Sequence, residues 1–225
     1  VSAFNDMASE NMRHGASTFE WTPGARQMLL ALVRPGVVDR ALRGADAFGL
    51  RLCELLPSPV AAFNASAPAH GPRPAPTLHI CVGHATTDIA IGTSKGLLFA
   101  RSFAVGGKAF TDALTKAGGL QPAQAERVKR TEAALTKGNP HAATLAPAGT
   151  LWFSQLRAAL SVYRGQFTGE SFAIGDVRLS GGGALLKGFA EFVGKQLDLP
   201  TSVSSDHVLP AIFATAYGLA LSGAE

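Results

Sequence analysis

Three glycine-centred breaks in this 225-residue chain, Gly83, Gly106-Gly107 and Gly181-Gly182-Gly183, have the residue types and settings for ligand chemistry. Each ends a segment that reads as a strand. Glycine lets a backbone approach a phosphate or a nucleoside closely and turn its N–H groups toward it, and a helix after the turn adds a favourable dipole. Glycine also simply makes turns, so the breaks alone leave both readings open. Gly92-Thr93-Ser94-Lys95-Gly96 matches the G-x-S-x-G pattern of a nucleophile elbow. That device needs a strand followed by a helix, whereas Leu97 to Val105 reads as another strand, which predicts a plain hairpin turn. His79 and Cys81 share one face of a strand and His84 follows, but three ligands without a fourth favour a buried or turn-lining role over a metal site. Gly106-Gly107-Lys108 is not a Walker A loop, because Ser102 stands at the first glycine position and Ala109 follows the lysine. Gly181-Gly182-Gly183-Ala184-Leu185-Leu186 misses G-x-G-x-x-G at Leu186.

The apolar run from Arg26 to Val33 predicts a buried strand, and Val37, Val38, Ala41, Leu42, Ala45 and Phe48 recur at helical spacing before Gly49. A second strand is expected over Leu50 to Leu56 and a short helix over Pro57 to Ala65. Residues 66–76 hold four prolines and no core-forming side chain, which marks a linker or an exposed loop. Leu78 to Val82, Thr87 to Ile91 and Leu97 to Val105 predict three strands of an antiparallel meander. Helices are then expected over Lys108 to Ala117, Pro122 to Thr136 and Thr150 to Gln166, followed by a strand over Ala173 to Leu179. A helix over Ala184 to Leu197, a short strand near Val203 and a terminal helix over Val208 to Leu221 complete the reading. Strands and helices in this mixture predict a mixed α/β sheet with flanking helices.

Hydrophobic residues make up 47% of the chain and charged residues 16%, which excludes a disordered protein, while 25 glycines and 13 prolines without a repeat exclude a fibrous one. Twenty Lys and Arg against 16 Asp and Glu give a net charge of +4, spread along the chain rather than clustered, so no nucleic-acid surface is expected. Two cysteines without C-x-x-C spacing fit a reducing compartment. No apolar run reaches the length of a membrane span, and no signal peptide precedes the first elements. Because the chain opens on Val1, its natural start is expected upstream.

The order and content of the glycine breaks carry a resemblance. Cys81-Val-Gly83-His84-Ala85-Thr86-Thr87-Asp88, then Arg101 through Gly106-Gly107-Lys108-Ala109-Phe110-Thr111, then Ala125-Glu126-Arg-Val-Lys129, then Leu179-Ser-Gly181-Gly182-Gly183-Ala184-Leu-Leu-Lys-Gly188 are together similar to the PilM family. Its members are actin-like, FtsA-related cytoplasmic components of type IV pilus assembly. The likeness covers residues 77–225 well and 25–65 more weakly, and includes Tyr217-Gly218-Leu219-Ala220. It implies an actin-like, ribonuclease-H-like mixed sheet with flanking helices. Residues 1–70 would be a remnant of a first domain, 71–76 a Pro-rich linker and 77–225 the second domain. It also implies roles for Gly83, His84, Ala85, Thr86 and Thr87 as a second phosphate loop and for Gly106 and Gly107 beside the phosphates. Glu126 and Lys129 would contact the nucleoside, and Gly181, Gly182, Gly183, Ala184 and Leu185 would form the adenosine loop. Three residues apart on a helix, Glu126 and Lys129 share one face, where a carboxylate can accept from ribose hydroxyls; the plainer alternative is a surface ion pair.

Two departures from the family shape the expectation for ATP and Mg²⁺. The second phosphate loop of the family opens with Asp, here Cys81, and a thiol is a poor ligand for a hard cation. The family's N-terminal strand pair, with its first phosphate turn of Asp-Ile-Gly type, does not occur here, so either it lies upstream or the chain is a variant. The cleft is therefore expected to be degenerate or incomplete, with ATP bound weakly or not at all and no hydrolysis. No catalytic residue and no metal site is assigned. A membrane-anchored, PilN-like pilus assembly protein is the implied partner, at the inner face of the cytoplasmic membrane, with self-association open. Two alternatives share the fold: an ATP-handling member of the sugar-kinase, Hsp70 and actin superfamily, and an FtsA-like or GspL-like relative.

Overall fold

A computed structural model describes residues 13–22, 25–66, 75–204 and 211–222. Two compact units divide the chain, residues 1–57 and 58–225. In the first, β1 (Arg13–Thr22) pairs antiparallel with β2 (Ala25–Val33), with a register shift between Glu20 and Thr22, and α1 (Pro35–Ala47) follows. No strand was expected over β1; its pairing with β2 is what defines it. Helix α1 has Pro35 at its start, where a missing N–H costs nothing. The strand expected over Leu50 to Leu56 does not form, and Leu50 and Leu55 stand exposed. An apolar run becomes a strand only beside another with which its amides can pair.

The second unit is built on a five-stranded sheet in the order β5-β4-β3-β6-β7. Its strands are β3 (Thr77–Val82), β4 (Thr87–Thr93), β5 (Gly96–Phe103), β6 (Asp176–Ser180) and β7 (Thr201–Val203). β3, β4 and β5 form the expected antiparallel meander, and β6 and β7 add in parallel on the other side of β3. Ser94 sits in the hairpin turn between β4 and β5, not on an elbow. Every residue of β3 and β4 is buried, as central strands covered on both faces must be.

Around the sheet lie α2 (Ser58–Ser66), α3 (Lys108–Gly118), α4 (Pro122–Thr131), α5 (Ala142–Gln166), α6 (Phe189–Leu197) and α7 (Ala214–Ser222). One face of α5 supplies Leu145, Trp152, Leu156, Leu160 and Tyr163 to the core, all nearly inaccessible. Trp152 packs edge-on to Phe189 with ring centroids 4.8 Å apart, and its indole N–H donates to Thr87 Oγ1 at 2.9 Å. Helix α5 begins eight residues before its expected start and runs through Pro147. A proline there removes one hydrogen bond, and the carbonyl left over belongs to exposed Ala143, where water can serve it. Helix α4 stops at Thr131, short of the expected Thr136, and Ala134 instead bridges to Lys187. The helix expected from Ala184 is divided: a 3-10 turn spans Gly182–Leu185, and α6 starts after Gly188, whose φ of +77° no other residue adopts readily. Residues 208–210 of the expected terminal helix lie outside the described residues.

Candidate functional site

A cleft of about 430 Å³ opens at the ends of β3 and β6 in the second unit. Gly83, His84, Gly107, Phe110, Glu126, Lys129, Arg130, Gly182, Gly183, Leu185, Leu186 and Ile212 line it. The convergence is tight at its base. A Cβ added to Gly107 would lie 3.4 Å from both Gly183 Cα and the Gly83 carbonyl oxygen, and 3.7 Å from Lys129 Nζ. Segments up to a hundred residues apart in sequence therefore meet within van der Waals reach of one another.

The Gly83 turn is bonded to the start of α3. Gly107 N–H donates to the Gly83 carbonyl and Lys108 N–H to the His84 carbonyl, each at 2.8 Å, while Gly83 N–H closes its own turn on the Thr86 carbonyl at 2.9 Å. Two donors at the head of α3 are thereby satisfied by the chain itself. Among the described residues, the N–H groups of His84 and Ala85 donate to no chain acceptor. With the N–H of Thr86, which also donates to no chain acceptor among these residues, they are the amides of this turn that remain for a ligand.

A charged network on α4 also lines the cleft. Lys129 Nζ, on a residue only 8% exposed, donates to Glu126 Oε2 at 2.6 Å, Thr111 Oγ1 at 2.9 Å and the Gly107 carbonyl at 3.2 Å. All three ammonium hydrogens are thus committed, and Lys129 acts as a strut between α4 and the Gly106-Gly107 turn. Thr111 donates to Glu126 Oε2 at 2.7 Å, and Arg130 Nε donates to Glu126 Oε1 at 3.0 Å. Partial burial pushes the Glu126 carboxyl up, but hydrogen bonds from Lys129, Thr111 and Arg130 and the Lys129 charge outweigh it and hold the group down at about 2. A carboxyl depressed from its ordinary 4.5 stabilises the fold fully above that value, and the contribution is lost as pH falls through about 2. The stability difference between the parent chain and Glu126→Gln is therefore expected to hold at neutral pH and to shrink below about pH 4. Thermal melts from pH 7 to 3 check this; a difference that stays constant over that range contradicts it.

Of the residues singled out in the sequence, Gly83, His84, Gly107, Glu126, Lys129, Gly182 and Gly183 line this one cleft. Gly106 sits just behind, against Gly83 and His84. Ala85 and Thr86 are exposed on the turn. Thr87 is fully buried; its hydroxyl accepts from Trp152 and donates to the Val105 carbonyl at 2.7 Å, so it anchors the turn from below. Gly181 and Ala184 are buried under the glycine run, with Gly181 N–H donating to the Ala211 carbonyl. Cys81 lies on β3 opposite Asp88 in the ladder, its thiol 3.7 Å from Thr215 Oγ1, while Asp88 accepts from Ser102. His79 Nδ1 is 2.8 Å from Ser66 Oγ and the ring meets Phe63 edge-on, so His79, Cys81 and His84 form no metal cluster.

Phe110, Arg130, Leu186 and Ile212 were not anticipated, whereas Leu185 closes the expected adenosine loop. Arg130 was within reach of a sequence argument, since a Glu four residues before an Arg on a helix pairs with it. Ile212 has no local signal, because only the return of the chain beside β6 brings it to the cleft.

Many solved structures match this chain, among them the following three. A PilM-PilN type IV pilus biogenesis complex matches at 22% identity and a TM-score of 0.81, covering 100% of this chain and 70% of that one. MreB 5 of Spiroplasma citri bound to AMPPNP matches at 20% identity and 0.64, covering 84% and 64%. The ethanolamine utilization protein EutJ from Carboxydothermus hydrogenoformans matches at 20% identity and 0.57, covering 81% and 59%. At such identities the likeness establishes the fold, an actin-like mixed α/β sheet with helices. No curated protein sequence matches. The family model for type IV pilus assembly protein PilM matches residues 75–208, more than half of the chain and every segment lining the cleft except Ile212. By that match, the chain belongs to the PilM family of type IV pilus assembly proteins.

Proposed function

We propose that this protein is an actin-fold scaffold of type IV pilus assembly whose cleft takes a nucleotide weakly, without a metal and without hydrolysis. The observation that carries the reading is the convergence of Gly83, Gly107, Gly183 and Lys129 at one cleft base. These glycines bring bare backbone to the cleft, and the Gly83 turn carries amides of His84 and Ala85 that donate to no chain acceptor, which suits an anionic ligand. Glu126, Arg130, Leu185 and Ile212 also line the cleft, a mixture of polar groups and apolar wall that suits a sugar and a base. A nucleotide analogue is present in the MreB 5 structure of like fold.

The donor set does not fit Mg²⁺. Cys81 stands where the family has Asp, its thiol lies against Thr215, and among the described residues no three of His, Cys, Asp and Glu gather around a point. Cys81→Asp is therefore expected to make ATP binding respond to Mg²⁺, by about tenfold in affinity, where the parent chain shows no response. Calorimetry with and without Mg²⁺ on both chains measures this. A parent chain that already binds Mg-ATP at micromolar concentration would sink the reading.

The partner in this reading is a membrane-anchored, PilN-like protein whose cytoplasmic tail this chain docks, which would hold it at the inner face of the cytoplasmic membrane. The solved PilM-PilN complex of like fold supports it. Among the described residues, no helix is long and apolar enough to cross a membrane. Capture of the chain on immobilised PilN-like tail tests the docking, with failure counting against it.

A further inference from the structure

Thr111 touches both charged groups of the cleft wall from a different helix, and its chemistry dictates how. Lys129 has donors only, so the Thr111 hydroxyl must accept from it, at 2.9 Å. The single hydroxyl proton then goes to Glu126 Oε2 at 2.7 Å, a far better acceptor than the Gly107 carbonyl at 3.5 Å. Thr111 is 7% exposed, on the second turn of α3, four residues after Gly107. An exposed i, i+3 pair on one helix keeps little fixed geometry on its own. Here the hydroxyl locks Oε2 between two donors and leaves Oε1 turned toward Arg130, 75% exposed at the cleft rim.

We infer that Thr111 is a positioning residue of the cleft: its hydroxyl fixes the Glu126 carboxylate and the Lys129 ammonium relative to the Gly106-Gly107 turn, so that Glu126 meets a ligand hydroxyl already oriented. The ligand half of this statement rests on the nucleotide reading; the positioning half does not. Nothing in the glycine motifs assigns Thr111 such a role, and its side chain does not line the cleft itself.

The test compares Thr111→Val, which keeps the volume and removes the hydroxyl, with Thr111→Ser, which keeps the hydroxyl. Thr111→Ala removes the hydroxyl without a branched replacement and serves if valine disturbs the packing of α3 on α4. Carboxyl NMR of Glu126 in the ligand-free chain is followed from pH 7 to 3. The parent and Thr111→Ser are expected to stay ionised to pH 3, while loss of a hydrogen bond to a charged group raises the Val and Ala midpoints by about one pH unit or more, into view. Titration with Mg-free ATP should show affinity about fivefold weaker in Val and Ala and close to the parent in Ser. A Glu126 titration unmoved in Val and Ala overturns the inference, as does one moved equally in Ser. If the titration moves as expected and no chain binds ATP, the positioning role stands and the nucleotide reading fails.

Discussion

Gly106→Ala is expected to lower stability by about 2–4 kcal/mol and to abolish ligand binding in the cleft. The added Cβ would lie 2.6 Å from the Gly83 carbonyl oxygen, 2.7 Å from the His84 carbonyl oxygen and 2.8 Å from its carbon. All three are backbone atoms, so no side chain can swing away. The Gly83 turn must retreat from α3, and the bonds from Gly107 and Lys108 N–H to those carbonyls go with it. A domain of this size loses about 2–4 °C in Tm for each kcal/mol, so a fall of roughly 5–15 °C is expected. Differential scanning calorimetry checks it. A variant that melts within a degree of the parent would mean that the turn is not pinned as described.

For Gly218 the helix scale and the packing give opposite signs. Replacing a glycine inside α7 by alanine should stabilise an isolated helix by about 1 kcal/mol. Here a Cβ would overlap the Ala61 carbonyl oxygen and lie 2.6 Å from the Ala61 carbon and 3.0 Å from Ala65 N. Helices α2 and α7 touch backbone to backbone through Ala61, Ala65 and Gly218, with Asn64 Nδ2 bonded to Ser222 Oγ at 2.9 Å further along. Separating them enough for a methyl group forfeits that contact along its length. Overpacking costs of about 3 kcal/mol or more overwhelm the propensity gain. Gly218→Ala is thus expected to melt at least 6 °C below the parent, and a raised Tm would refute the close contact.

Alternation and turn chemistry made the meander legible: Leu78, Ile80 and Val82 alternate with His79 and Cys81, and the Thr93 to Gly96 turn is too short for anything but a hairpin. Periodicity also located the core face of α5 at Trp152, Leu156, Leu160 and Tyr163, but it wrongly added Leu151, which is half exposed, and it missed the first two turns, which run through Pro147. The strand expected over Leu50 to Leu56 failed because local apolarity cannot report whether a pairing partner exists. At the cleft, the glycines and the Glu126–Lys129 pair were legible as spacing, and their meeting in one place follows from the sheet order. What stayed hidden was the work each side chain does. Thr87 is a buried anchor and Lys129 a spent strut, because the bond Thr87 accepts from Trp152 and those Lys129 donates to Thr111 and the Gly107 carbonyl depend on elements remote in sequence.

Amide chemical-shift mapping with ATP is the most direct measurement of where a nucleotide goes. At ~5 mM ATP without Mg²⁺, the perturbed amides are expected to be those of Gly83, His84, Ala85, Gly107, Gly182, Gly183 and Arg130, with a Kd weaker than about 100 µM and no gain on adding Mg²⁺. Shifts confined to other parts of the chain, or none at all at that concentration, would contradict the assignment of this cleft to a nucleotide.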